Sequence, residues 1–91
     1  MMRRLLFKVE DTFAITGRGL VLWPGLIKSG PPTRLTIGNA VDLRRPDGTS
    51  LRTTIRGIEM PSLPDSVPIL LSEELTKDDV PIGTEVWHAA E

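Results

Sequence analysis

The chain contains no cysteine, which excludes disulfides, thiolate nucleophiles and zinc–thiolate sites. A secreted domain this small often relies on disulfide staples, so the absence points to a reducing, cytoplasmic setting. There is a single histidine, His88. It has no second imidazole, no nucleophile elbow and no carboxylate cluster at metal-ligand spacing around it, so no catalytic residue, metal or cofactor site is expected. No Gly-rich phosphate loop of the form G-x-x-x-x-G-K-[S/T] occurs; Lys28-Ser29 lacks the preceding glycines. No segment approaches the roughly 18 apolar residues of a membrane span. Met1 to Lys8 opens like a signal peptide, but the apolar run Leu5-Leu6-Phe7 is too short for one. Neither sign of charge dominates: 11 basic against 12 acidic side chains give a net charge of −1. No global field therefore steers the protein to nucleic acid or acidic lipid, and a basic site would have to be local.

What the 91 residues do hold is ordinary for one small globular domain: 40 % apolar and 25 % charged. The patterning is β almost throughout. Leu5, Phe7 and Val9 alternate with Arg4, Leu6, Lys8 and Glu10, and Phe13 and Ile15 continue the same parity beyond Glu10-Asp11. Read as a three-residue loop, Gly17-Arg18-Gly19 sets Ile15 against Val21 and Phe13 against Trp23 on an inward face, with Gly19 left-handed. Pro24-Gly25 calls for a bulge in the second strand. Residues 28–34 read as loop. Pro46-Asp47-Gly48 is the clearest turn. As a three-residue loop it pairs Leu43 with Leu51, Val41 with Thr53 and Asp42 with Arg52, keeping apolar and polar faces apart. The Asp42–Arg52 pair is expected to be exposed and worth about 0.2–1 kcal/mol. Gly57 shifts parity so that Ile58 and Met60 face in. Residues 61–68 form a proline-rich loop. Val67 to Leu71 reads as a strand buried on both faces. Thr76 with Asp79 caps about one helical turn, and Thr84 to His88 closes the chain. About six short strands with almost no helix predict a single all-β domain, a small sandwich or barrel.

The run Glu10-Asp11-Thr12-Phe13-Ala14-Ile15-Thr16-Gly17-Arg18-Gly19-Leu20-Val21 resembles the opening of the second domain of elongation factor Tu and related translational GTPases. Ile37-Gly38-Asn39-Ala40-Val41, Gly57-Ile58-Glu59-Met60, Val67 to Leu71 and Lys77 to Gly83 resemble later parts of that domain, in the same order. The resemblance spans about residues 7–87. It implies a closed six-stranded Greek-key β-barrel without the GTPase, hence no GTP binding by this chain. It also implies a non-catalytic binding module that contacts RNA, in particular the 3′ end of tRNA. Carried over by motif position, the ligand-binding residues are Glu10, Asp11, Phe13, Arg18 and Glu59. Carboxylates accept from amino or ribose hydroxyl groups, and an aromatic ring offers a stacking face. The sequence departs from the family in its short loop after Met60, where Pro61-Ser62 replace a basic residue, and in Trp23-Pro24.

Apart from the resemblance, Arg44, Arg52 and Arg56 are expected on the outer face of one hairpin, where they form a possible basic patch for phosphates. Trp23 and Trp87 are expected in the core or at its rim; if exposed, they would mark a partner surface. The alternative to RNA binding is a protein–protein interaction or regulatory scaffold that kept only the fold.

Overall fold

The computed structural model describes residues 4–27, 37–58 and 66–89. The expected loop at 28–34, and the motif residues Glu59 and Met60 with 61–65 after them, lie outside the described residues. The strands are β1 (Arg4–Lys8), β2 (Asp11–Ile15), β3 (Gly19–Ile27), β4 (Ala40–Arg44), β5 (Ser50–Thr54), β6 (Gly57–Ile58), β7 (Ser66–Leu71) and β8 (Glu85–His88). Among the described residues a single 3-10 turn, Lys77–Asp79, precedes β8, and the Thr76 backbone N–H donates to Asp79 Oδ2 at 2.8 Å as the cap pattern predicts. All ladders are antiparallel and form two four-stranded sheets, ordered β1-β8-β4-β5 and β2-β3-β7-β6. The core lies between them. Val41, Leu43, Val86 and Phe7 from the first sheet meet Leu20, Leu22, Ile69 and Leu71 from the second.

Chain continuity joins the sheets at two corners. At the first, Val9 N donates to Thr84 O (2.8 Å) and Glu10 N to Trp23 O (2.8 Å), so consecutive residues bond to different sheets. At the second, Ile55 N donates to Asn39 O (2.9 Å) and Arg56 N to Leu70 O (2.8 Å).

The β4–β5 hairpin forms in the expected register: Leu43 with Leu51, Val41 with Thr53 and Asp42 with Arg52. The turn is held by Asp47, whose Oδ1 accepts from the Thr49 hydroxyl (2.6 Å) and the Thr49 backbone N–H (2.9 Å). Those bonds, the hydroxyl's first, favour the ionised form and hold the Asp47 carboxyl below its ordinary 3.8.

The β2–β3 hairpin differs from its expectation in two ways. Its three-residue loop is Thr16 to Arg18, so Ile15 faces Gly19 and Phe13 faces Val21. Gly17 (φ 81°) and Gly19 (φ 143°) both hold positive φ, and Gly19 also enters the ladder, where a Cβ would run into the carbonyl oxygen of Leu71. The buried face is also the opposite one. Thr12, Leu20 and Leu22 point into the core, while Phe13 stays 45 % exposed. The cause is that Leu20 to Trp23 is apolar on both sides, so its pattern does not choose a face. The packing partners Ile69 and Leu71 choose it. The expected parity also fails at β1, where a register shift between Leu5 and Phe7 leaves Leu5 exposed and packs Leu6 on the core.

The expected interruption at Pro24-Gly25 is present, between Leu22↔Ile69 and Leu26↔Val67. Pro68 lies opposite it, inside β7 rather than in a loop. Two residues without an N–H thus share the one stretch where the β3–β7 ladder is broken.

These assignments carry two consequences for stability. Leu22→Ala should cost about 2–5 kcal/mol and Phe13→Ala about 1 kcal/mol or less, measured by urea denaturation. The reverse order would restore the register with Phe13 inside. Asp47 contributes stability above its unfolded pKa, and that contribution is lost as pH falls below 3.8 through the lower folded value. An NMR titration of the Asp47 carboxyl should therefore give a midpoint under 3.8, returning upward in Thr49→Val.

Candidate binding surfaces

The outward turn of β2 places Asp11, Phe13 and Ile15 on one face, away from the core. Glu10 is exposed at the corner just before them, with its backbone fixed by the bond to Trp23 O. Asp11 is half-buried, and its Oδ1 accepts from the backbone of Thr12 at 2.8 Å. Across the ladder from Asp11 stands Trp23. The Trp23 and Phe13 rings meet edge to face, with centroids 6.3 Å apart and planes at 82°. The ammonium of Lys77 lies 5.8 Å from the Phe13 ring centroid, carried there by the capped turn that packs beside β2. Such a contact is worth about 0.5–1 kcal/mol at an exposed site. The result is an accessible ring in contact with a second aromatic and a cation, with Asp11 on the same strand face. It can stack on a planar group, accept hydrogen bonds and attract an anion.

Of the residues carried over by motif, Asp11 and Phe13 share the outward face of β2, and Glu10 is exposed at the corner just before them. Arg18 sits in the turn at the other end of the hairpin, so it is not part of this cluster. Glu59 lies outside the described residues. Lys77 joins the cluster without any local sequence signal, because only the tertiary fold brings residue 77 beside residue 13.

The expected basic patch is changed in character. Arg44 and Arg52 do share the outer face of the first sheet, but Arg56 lies beyond β5, where the backbone has passed to the second sheet. On that face cross-strand neighbours run Leu5, Trp87, Asp42, Arg52 in one row and Lys8, Glu85, Arg44, Ser50 in the next. Charge alternates rather than accumulates. Arg52 grips Asp42 through Nε at 2.8 Å and a second nitrogen at 3.2 Å. The Arg52 side chain is 58 % exposed but that of Asp42 only 12 %, so the pair is open to solvent at its cation and largely buried at its carboxylate. Half-buried Trp87 donates Nε1–H to Glu85 Oε1 at 3.0 Å, and the Arg44 guanidinium lies 5.9 Å from its ring centroid. A hollow of about 210 Å³ opens between Trp87, Arg44, Ser50 and the Asp42–Arg52 pair. Arg45 is committed elsewhere: its Nε donates to Asp79 O at 2.7 Å, tying the β4–β5 turn to the capped turn.

Among the described residues no group of three or more His, Cys, Asp or Glu side chains could hold a metal ion, and no helix is long and apolar enough to cross a membrane. Comparison of the chain with protein-family models, with curated proteins and with solved structures gave no match.

A double-mutant cycle on Asp42→Asn and Arg52→Ala should give a coupling of about 1–2 kcal/mol, because breaking the pair removes two charge-assisted hydrogen bonds from a largely buried carboxylate. A coupling near zero in urea denaturation would return the pair to the exposed class.

Proposed function

We propose that the protein is a non-catalytic, cytoplasmic binding module of the translation-factor β-barrel type, and that it holds the end of an RNA chain at the Phe13 cluster. The observation that carries this reading is the exposure of Phe13. An aromatic ring that a strand could have buried stands outside, beside Trp23 and under the ammonium of Lys77, with Asp11 on the same strand face and Glu10 at the corner before it. Single-stranded RNA is recognised by bases stacked on aromatic rings, by hydrogen bonds to their edges and sugars, and by cations at phosphate. The cluster offers one group for each.

The barrel assignment has support of its own. β1 with β2, and β5 with β6, are each one chain segment that bends from one sheet into the other. Counted so, the eight strands trace six, the number in the closed Greek-key barrel that the motif at Glu10 to Val21 implies.

The test is a titration of the isotope-labelled protein with aminoacylated tRNA, uncharged tRNA and duplex RNA, followed by NMR. Amide and side-chain shifts should gather at Asp11, Phe13, Trp23 and Lys77, and Phe13→Ala should weaken binding by roughly tenfold, the loss of one stacked base. Absence of shifts at these residues at high micromolar tRNA would sink the reading.

A further inference from the structure

The outer face of the first sheet alternates in charge along its rows, but at one corner a single sign gathers. Lys8, at the end of β1, and Arg44, at the end of β4, flank Glu85 in one row, and Arg45 adds a third cation from the turn that follows. Lys8 and Arg44 are exposed, and among the described residues neither is in an ion pair. Glu85 between them turns its Oε1 to the indole N–H of Trp87. Arg45 donates from Nε to Asp79 O at 2.7 Å and from Nη1 to Thr49 Oγ1 at 3.2 Å. Both acceptors are neutral, so its charge is not cancelled by them, and its fork keeps further N–H donors. Asp47, in the same turn, feels the Arg45 charge, but its Oδ1 is held by Thr49 and it does not line the space that the cations enclose.

That space is a hollow of about 560 Å³ between the end of β1, the β4–β5 turn and the loop before β8. Its backbone walls are tied to one another. Val9 N donates to Thr84 O (2.8 Å) and Gly83 N to Val9 O (2.9 Å), which fixes the loop to the segment after β1. The turn approaches the same loop so closely that a Cβ on Gly83 would stand 3.3 Å from Pro46 Cγ. The Arg45 bond to Asp79 O braces these two segments a second time. The cations thus rise from a backbone framework that is already in place, which lowers the cost of receiving a ligand. Pro46 and the exposed Ile82 give the hollow an apolar side.

We infer that this corner binds a phosphate monoester, carried by a small molecule or by the end of an RNA chain. The lining sets three cations against the single carboxylate of Glu85, and cations remain in excess when Asp47 is counted as well. An anion is therefore drawn in and a cation repelled. A phosphate monoester brings about −1.5 to −2 charges and three strong acceptor oxygens. It answers this surplus better than a carboxylate or a backbone phosphodiester, each of which brings one charge. Its tetrahedral oxygens can meet the Lys8 ammonium and the two guanidinium groups together, the arginines through paired N–H donors. The room beside Pro46 and Ile82 admits the sugar or carbon chain that bears the phosphate. None of the lining residues belongs to the Phe13 cluster, so the two sites stand or fall separately.

The probes are ribose 5-phosphate, ribose, and a short single-stranded RNA made with a 5′-phosphate or a 5′-hydroxyl, each titrated into the labelled full chain and followed by NMR. The expected result with ribose 5-phosphate is shifts at Lys8, Arg44, Arg45, Gly83 and Glu85, and none there with ribose. Tighter binding of the 5′-phosphorylated RNA than of ribose 5-phosphate assigns the phosphate to an RNA end; equal or weaker binding assigns it to a small molecule. Lys8→Ala and Arg44→Ala, both exposed changes, should each weaken ribose 5-phosphate by up to about fivefold. Glu85→Gln, whose amide oxygen can still accept from Trp87, should strengthen it by a similar factor, and Phe13→Ala should leave it unchanged. The proposal is overturned by any of three results: no shifts at these residues at about 1 mM ribose 5-phosphate, the weak limit of specific recognition; affinity that responds to none of Lys8→Ala, Arg44→Ala and Glu85→Gln; or RNA that binds at this corner equally well with and without its 5′-phosphate.

Discussion

The pairing of β3 with β7 is the constraint on which the other elements depend. Both strands are apolar on both faces, from Leu20 to Trp23 and from Val67 to Leu71, and they lie side by side in the middle of the second sheet. Their ladder sets Leu20 against Leu71 and Leu22 against Ile69, which together supply one wall of the core. The close approach is possible because Gly19 and Gly25 offer no Cβ to the carbonyls of Leu71 and Val67. Once this pair has chosen which face to bury, β2 must follow its partner, and Phe13 is left outside. The exposed ring on which RNA recognition is proposed is thus a by-product of how two other strands pack.

The opposite sheet shows how the same physics produces a different kind of surface. Its outer face carries a row of alternating charge around Trp87, in which each cation has an anion or an aromatic ring beside it. Coulomb forces there act across short distances between fixed partners and give the face little net field. The Phe13 cluster is less tightly bound together: its carboxylates and its ammonium come from different elements, and the ring between them is open to solvent.

The sequence spoke clearly where only one arrangement satisfied it. Residues 41–44 and 50–53 alternate on either side of Pro46-Asp47-Gly48, which fixes the loop, so the β4–β5 register could be read residue by residue. The broken ladder at Pro24 and the capped turn at Thr76 were legible for similar reasons, since each is a local requirement. The face of β2 was not legible, because β3 satisfies either choice and the decision lies with Ile69 and Leu71, far along the chain. The same holds for the site. Glu10, Asp11 and Phe13 are neighbours in sequence and remain neighbours in space, whereas Lys77 arrives by tertiary packing alone. Asp42 was read as exposed because alternation reports the side of a sheet and not the depth of a side chain under its neighbours.

One consequence follows from the way Leu70 sits on the outer face of the second sheet. Its side chain is almost fully buried although it points away from the core, with one methyl 3.3 Å from where a Cβ would stand on Gly19 and the other 3.3 Å from where one would stand on Gly57. Three positions distant in the chain thus share a single parcel of volume. Their freedom to vary is unequal. Gly19 also confronts the main chain of Leu71, which no exchange of side chains can move aside. Gly57 confronts only Leu70 itself. In an evolving lineage, residues 57 and 70 can trade size with each other, while residue 19 stays fixed and sets the terms of the trade.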